Sequence, residues 1–238
     1  MLQAGFIILT LIVSVLLLLA LSRITQSAIP DEAGRKKFLL ITGVAMAAWL
    51  VYVGALSIKG VFLVTTFPPR VPLLLVLPLF AFTGLFFGSG RFKNIITQTP
   101  ASWPVYFQAF RIAVELLLLM GFKAGIVPRE GTFDGYNFDI VIGLAAPLVG
   151  YLAFRKEMNR PLLLLYNISG LATLATVVFI FMSTAYAPAI WHKPQGIANL
   201  GFGLFPYTYL AGYLMPVAVF MHGFSLVKRK RQQRATAQ

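Results

Sequence analysis

The sequence predicts an all-α, polytopic membrane protein with seven transmembrane helices, its N-terminus outside and its C-terminus in the cytoplasm. Three observations carry this expectation. Hydrophobic residues make up 58% of the 238 and charged residues only 11%, whereas a soluble domain carries about a quarter charged residues. Apolar stretches of about 17–25 residues, the length a helix needs to cross roughly 30 Å of hydrocarbon, take up nearly the whole chain. Lys and Arg, finally, are distributed very unequally between alternate connections.

The first stretch, 3–22, has no basic segment before it and no small-residue cleavage pattern after it, so it reads as a retained span and not a removed signal peptide. The second, 38–57, follows the turn-forming "IPDEAGRKK"; the third, 71–87, follows "FPPR"; the fourth, 105–127, follows "TPASWP". The fifth is 138–154, the sixth, 162–186, follows "RKEMNRP", and the seventh is 207–227. Each must be a helix, because an isolated strand in lipid leaves its backbone groups unpaired. Pro78, Pro147 and Pro216 fall inside the third, fifth and seventh spans, where neighbouring helices can re-satisfy the carbonyl that a proline frees. Residues 1–228 are thus expected to form one transmembrane domain and 229–238 a basic cytoplasmic tail.

Orientation follows from the basic residues. One set of connections and the tail holds Arg23, Arg35, Lys36, Lys37, Arg91, Lys93, Arg155, Lys156, Arg160, Lys228, Arg229, Lys230, Arg231 and Arg234; the other holds Lys59, Arg70, Lys123, Arg129 and Lys193. Fourteen against five places the first set inside. The net charge of +13 is therefore a matter of topology and not of nucleic-acid binding. Membrane lipids are the expected partners, with anionic head groups attracting the tail, and a bacterial-type inner or plasma membrane is the expected location.

The fourth span carries charge. Gln108, Arg111 and Glu115 fall within an arc of about 60° on an otherwise apolar helix. A charge at the centre of a membrane helix costs about 2.5–3.5 kcal/mol, and the i, i+4 spacing lets Arg111 and Glu115 pair and cancel. From topology, Gln108 and Arg111 lie in the inner half, Glu115 near the middle, and Asn167 and His222 at an inner depth that allows them to join. Ser169, Thr173, Thr176, Ser183 and Thr184 form a small-polar stripe on the sixth span, read as helix packing.

A second candidate region is the outer face. There "PREGTFDGYNFDI" supplies Asp134 and Asp139, and a long later connection supplies Trp191 and His192. Asp139 at the mouth of the fifth span suits a helix N-terminus. The spacing of these residues matches no calcium or zinc motif, so no metal is expected.

Several chemistries are excluded. With no cysteine in the chain there is no disulfide, thiolate nucleophile, cysteine-held zinc or iron–sulfur cluster. Covalent retinal needs a lysine within the last span, and none lies between Lys193 and Lys228. Two histidines are too few for a bis-histidine haem or a histidine-rich zinc hydrolase, and no cofactor is expected. "FGSG" at 87–90 is too short a match to carry a serine-protease reading. The expected function is a transporter or channel-like protein that moves a small solute or protons through a polar site at Arg111, Glu115, Gln108, Asn167 and His222. The alternatives are a sensor or assembly subunit signalling through its basic face, and a membrane-embedded lipid-modifying enzyme with Glu115 and His222 as acid–base groups.

Overall fold

In a computed structural model, residues 1–64, 66–191 and 200–236 are described, without the side chains of 231–236. Among the described residues every regular element is helical. The chain begins with two 27-residue helices, α1 (Leu2–Ala28) and α2 (Glu32–Ile58). α1 stops because Ile29 precedes Pro30 and is extended there, at φ −130°. α2 starts at once because the Asp31 side chain accepts from Gly34 N at 2.6 Å, an N-cap that the sequence places just before the apolar run.

Five helices are long and apolar enough to cross a membrane, and up to six if one bent pair counts as a single span. They fit a membrane protein. Large apolar side chains face outward along them, with Leu40, Val51 and Leu85 exposed by 67%, 69% and 72%; in water so much continuous apolar surface would drive association. Each of the seven expected segments contains helix, and two regions depart from a straight crossing. Just past the third expected segment, 71–87, the chain is bent by 71° at Ser89, where α3 (Leu77–Gly88) gives way to α4 (Lys93–Gln98). The fifth is α7 (Asp139–Phe154), only 16 residues, or about 24 Å of helix.

Two of the internal prolines are handled as the sequence suggests. Pro216, near the start of α9 (Met215–Thr236), follows a π-turn at Leu210–Leu214, and Pro78 in α3 follows another at Pro72–Val76. A proline offers no N–H to the carbonyl four residues earlier. That carbonyl is Gly212 O before Pro216, and the Trp49 indole N–H donates to it at 2.7 Å. Before Pro78 it is Leu74 O, to which the Tyr52 hydroxyl donates at 3.4 Å. One face of α2 thus closes both broken ladders.

At the opposite end of α9, Lys228 is buried, and its ammonium donates to the carbonyls of Ile96, Thr97 and Thr99. Its charge caps the C-terminal end of α4, where unpaired carbonyls gather. Lys228 is therefore held against the bundle, and α9 itself runs on through Thr236, into the stretch expected as a tail.

The functional region is set by how the chain passes from α6 (Phe110–Lys123) to α7. Gly143 of α7 lies against Ile112, and Gly150 against Tyr106 of α5 (Trp103–Phe107), so α7 runs antiparallel to α5 and α6. α7 nevertheless starts level with Glu115, about 12 Å short of the far end of α6. The intervening chain turns back at Gly125, whose φ of +72° suits a residue without a Cβ. It then packs inward: Val127 against Gly121, and Gly131 against Phe181 of α8 (Arg160–Tyr186). Residues 124–138 are thus a re-entrant segment in the sense that they fold back among the helices, mostly irregular backbone apart from the 3-10 turn at Arg129–Gly131.

Candidate functional site

α6 presents Arg111 and Glu115 one turn apart on its inner face, each only 1% exposed. Their expected pairing does not occur. The ion pair of Arg111 is with Asp139, which the sequence reading placed on the outer face. Arg111 Nε donates to Asp139 Oδ2 at 2.7 Å and Nη2 donates to Oδ1, a bidentate fork matched to a planar carboxylate. The physical reason for the difference is the re-entrant segment. It brings the N-terminus of α7 level with the middle of α6, so a residue counted as a loop mouth arrives beside a guanidinium with five donors to satisfy.

The two terminal nitrogens also find acceptors on α8 and α9. Nη1 bonds His222 Nε2 of α9 at 2.8 Å, and Nη2 reaches Thr173 Oγ1 at 3.0 Å and Gly170 O at 3.4 Å, both on α8. A guanidinium only donates, so His222 Nε2 is an acceptor and the imidazole is neutral with its proton on Nδ1. That N–H donates to Asn167 Oδ1 at 2.9 Å; Asn167 Nδ2 in turn donates to Leu163 O at 2.7 Å and Ser225 Oγ at 2.9 Å. The imidazole lies close against α8: a Cβ at Gly170 would collide with His222 Cε1 and Nε2. Tyr166 packs 5.6 Å from the imidazole centroid, its hydroxyl donating to Ile142 O at 3.1 Å.

Glu115 is held separately. Its Oε1 accepts from Asn137 Nδ2 at 2.7 Å, while Oε2 has no hydrogen-bond partner. Gln108 donates through Nε2 to Ala218 O at 3.0 Å, and its Oε1 is likewise without a partner. Between α6, α8 and α9 lies a cavity of about 20 Å³ whose polar lining is Arg111, Glu115 and Asp139 and whose other walls are Phe, Val, Leu, Met and Ala side chains. That is room for about one water molecule.

Of the five residues grouped by the sequence reading, Arg111, His222 and Asn167 are joined in one hydrogen-bonded chain, Glu115 lines the same cavity as Arg111, and Gln108 is held apart on the Ala218 carbonyl. Thr173 is the fourteenth of 27 residues of α8. Arg111 is the ninth and Glu115 the thirteenth of the 21 in Trp103–Lys123, and His222 the thirteenth of the 21 in Leu210–Lys230. Arg111, Glu115, Thr173 and His222 thus lie near the middle of three long helices. Among the outer-face candidates, Asp134 is exposed and apart from Asp139, which is only 4% exposed. Trp191 donates to Ser183 Oγ at 3.0 Å and packs 5.5 Å from the Tyr136 ring, covering the re-entrant segment. His192 lies outside the described residues. Among the described residues no three His, Asp or Glu side chains are grouped to hold a metal ion.

Sequence reasoning missed Asn137, the bonding role of Thr173, and Ser225. A signal for the first existed: Asn137 stands two residues before Asp139, and its Oδ1 accepts from Asp139 N at 3.0 Å, the side-chain turn that opens many helices. Fold and site together define a helical protein of membrane type, organised around one buried ion-pair cluster contributed by four of its elements. No protein-family model, curated protein or solved structure matches the chain.

Proposed function

We propose that this chain is a seven-span membrane protein that moves protons, with Glu115 as the group that carries them. The observation that carries the reading is the isolation of Glu115 Oε2, buried and unpartnered beside a one-water cavity. Charge accounting supports it. Arg111 and Asp139 neutralise each other and His222 is neutral, so Glu115 brings one negative charge that nothing in the cluster balances. A buried carboxylate without a balancing charge takes a proton instead. A monovalent metal ion needs several oxygen ligands, and the otherwise apolar walls do not offer them. A larger solute needs more room than about 20 Å³, which favours protons within the transport reading.

Seven spans, with the N-terminus outside, remain the topology that best joins these elements: α7 is short because the re-entrant segment takes up the rest of its depth, and the bent third segment ends at the Lys/Arg-rich side. Lipid acyl chains would cover the outward apolar faces. Both ring nitrogens of His222 are engaged, which leaves the lipid-enzyme alternative without its second acid–base group. The direct test is Glu115→Gln in liposomes carrying a pH-sensitive dye. Proton flux under an imposed gradient falls to the protein-free background if Glu115 is the carrier; wild-type flux from a correctly folded variant removes the reading.

A further inference from the structure

Asn137 stands where the carboxyl of Glu115, the re-entrant segment and the N-terminus of α7 meet. Its Nδ2 donates to Glu115 Oε1 at 2.7 Å and to Gly131 O at 3.1 Å, and its Oδ1 accepts from Asp139 N at 3.0 Å. Both amide hydrogens and the amide oxygen are thus committed. Within the segment the backbone bonds close largely on themselves: Gly131 N to Pro128 O, Thr132 N to Arg129 O, Gly135 N to Thr132 O, Tyr136 N to Glu130 O and Asn137 N to Thr132 O. Residues 128–137 are therefore a small folded unit with its own backbone bonds, packed on Phe181 and Trp191. One side-chain bond ties its base to Glu115.

We propose that Asn137 is the positioning residue that couples the proton on Glu115 to the re-entrant segment, so that residues 128–138 loosen toward the Lys/Arg-poor end of the bundle when Glu115 is protonated. The proposal rests on the reading of Glu115 as proton carrier. Its physical basis is the difference between two hydrogen bonds: an amide N–H held by a carboxylate makes a charge-assisted bond, about twice as strong as the bond to the protonated acid. The other groups around Glu115 leave it as the one that responds. Arg111 on α6 and Asp139 on α7 neutralise each other, and His222 on α9 is fixed as an acceptor. α8 contributes the hydroxyls of Tyr166 and Thr173, and the only charged residue of α1, Arg23, lies near that helix's other end. On the turn itself Arg129 is exposed and Glu130 half-buried.

Because the chain has no cysteine, single-cysteine reporters are clean. Thr132→Cys reports on a buried position of the unit and Asp134→Cys on an exposed one; the ratio of their labelling rates cancels the intrinsic pH dependence of the thiol. The full-length protein in phosphatidylethanolamine–phosphatidylglycerol vesicles is labelled with a membrane-impermeant maleimide from mildly alkaline to mildly acidic pH, with proton flux measured in parallel. The ratio is expected to rise about tenfold as pH falls, to become flat with Glu115→Gln, and to be high at every pH with Asn137→Ala. A flat ratio in the otherwise wild-type chain, or a pH dependence that survives Glu115→Gln, overturns the coupling. Should Asn137→Ala fail to fold, those two profiles still decide. Glu115-dependent flux with a flat ratio sinks the coupling alone; unchanged flux in Glu115→Gln removes the carrier and the coupling with it.

Discussion

Arg111 shows how a single buried charge organises the residues around it. Its guanidinium is 1% exposed, and each of its nitrogens has an acceptor, so the favourable fork to Asp139 offsets the desolvation of both ions only while the geometry holds. Asp139→Asn leaves the guanidinium with no anion in the fork and is expected to cost about 3–5 kcal/mol. Arg111→Met combined with Asp139→Leu removes both ions and is expected to recover most of that loss. Thermal unfolding in detergent, run as a double-mutant cycle, measures the difference; a double variant as unstable as Asp139→Asn contradicts the account. Gly170 is the quieter partner. An alanine there would put its methyl inside contact distance of an imidazole tied at both nitrogens, and overpacking of this kind costs about 1–3 kcal/mol.

At the scale of elements, α2 and α4 show packing decided by backbone groups. Few residues of α2 are buried, yet its Trp49 supplies the hydrogen bond that Pro216 denies to Gly212. Trp49→Phe keeps the aromatic bulk but orphans that carbonyl, with an expected loss of about 1–3 kcal/mol; Pro216→Ala in the same background lets the helix satisfy the carbonyl itself and should restore stability. If Trp49→Phe alone melts with the wild type, the indole bond is not a stabilising feature. Lys228→Met removes the ammonium from three carbonyls. Amide hydrogen exchange should then quicken over 93–99 and stay unchanged in α7.

On the scale of the whole molecule, helix polarity gathers Arg23, Arg91, Arg155 and Lys230 at one end of the bundle and Lys59, Lys123 and Arg129 at the other. The proposed topology makes the first end cytoplasmic. In right-side-out vesicles a cysteine at Asp134 should react with an impermeant maleimide and one at Lys156 should not; the reverse pattern inverts the orientation. The mid-depth cluster is the centre of this arrangement, with α6, α7, α8 and α9 each contributing a group to it. That is why the loss of one ion is expected to disturb four elements together.

By itself the sequence determined the membrane-type composition and the order of the helices, and it named Gln108, Arg111, Glu115, Asn167 and His222 as the polar groups of the apolar spans. These are legible because they follow from local properties: the length of an apolar run, and the cost that makes a polar group within it conspicuous. Only the tertiary structure decided who pairs with whom. The i, i+4 spacing of Arg111 and Glu115 named one partner, but the chain from Gly125 to Phe138 folds back between helices and delivers Asp139 and Asn137 to the middle of α6. Re-entry depends on contacts such as Gly131 with Phe181, made by residues 50 apart in the chain, and hydropathy read along a line cannot distinguish a loop that leaves the bundle from one that returns into it.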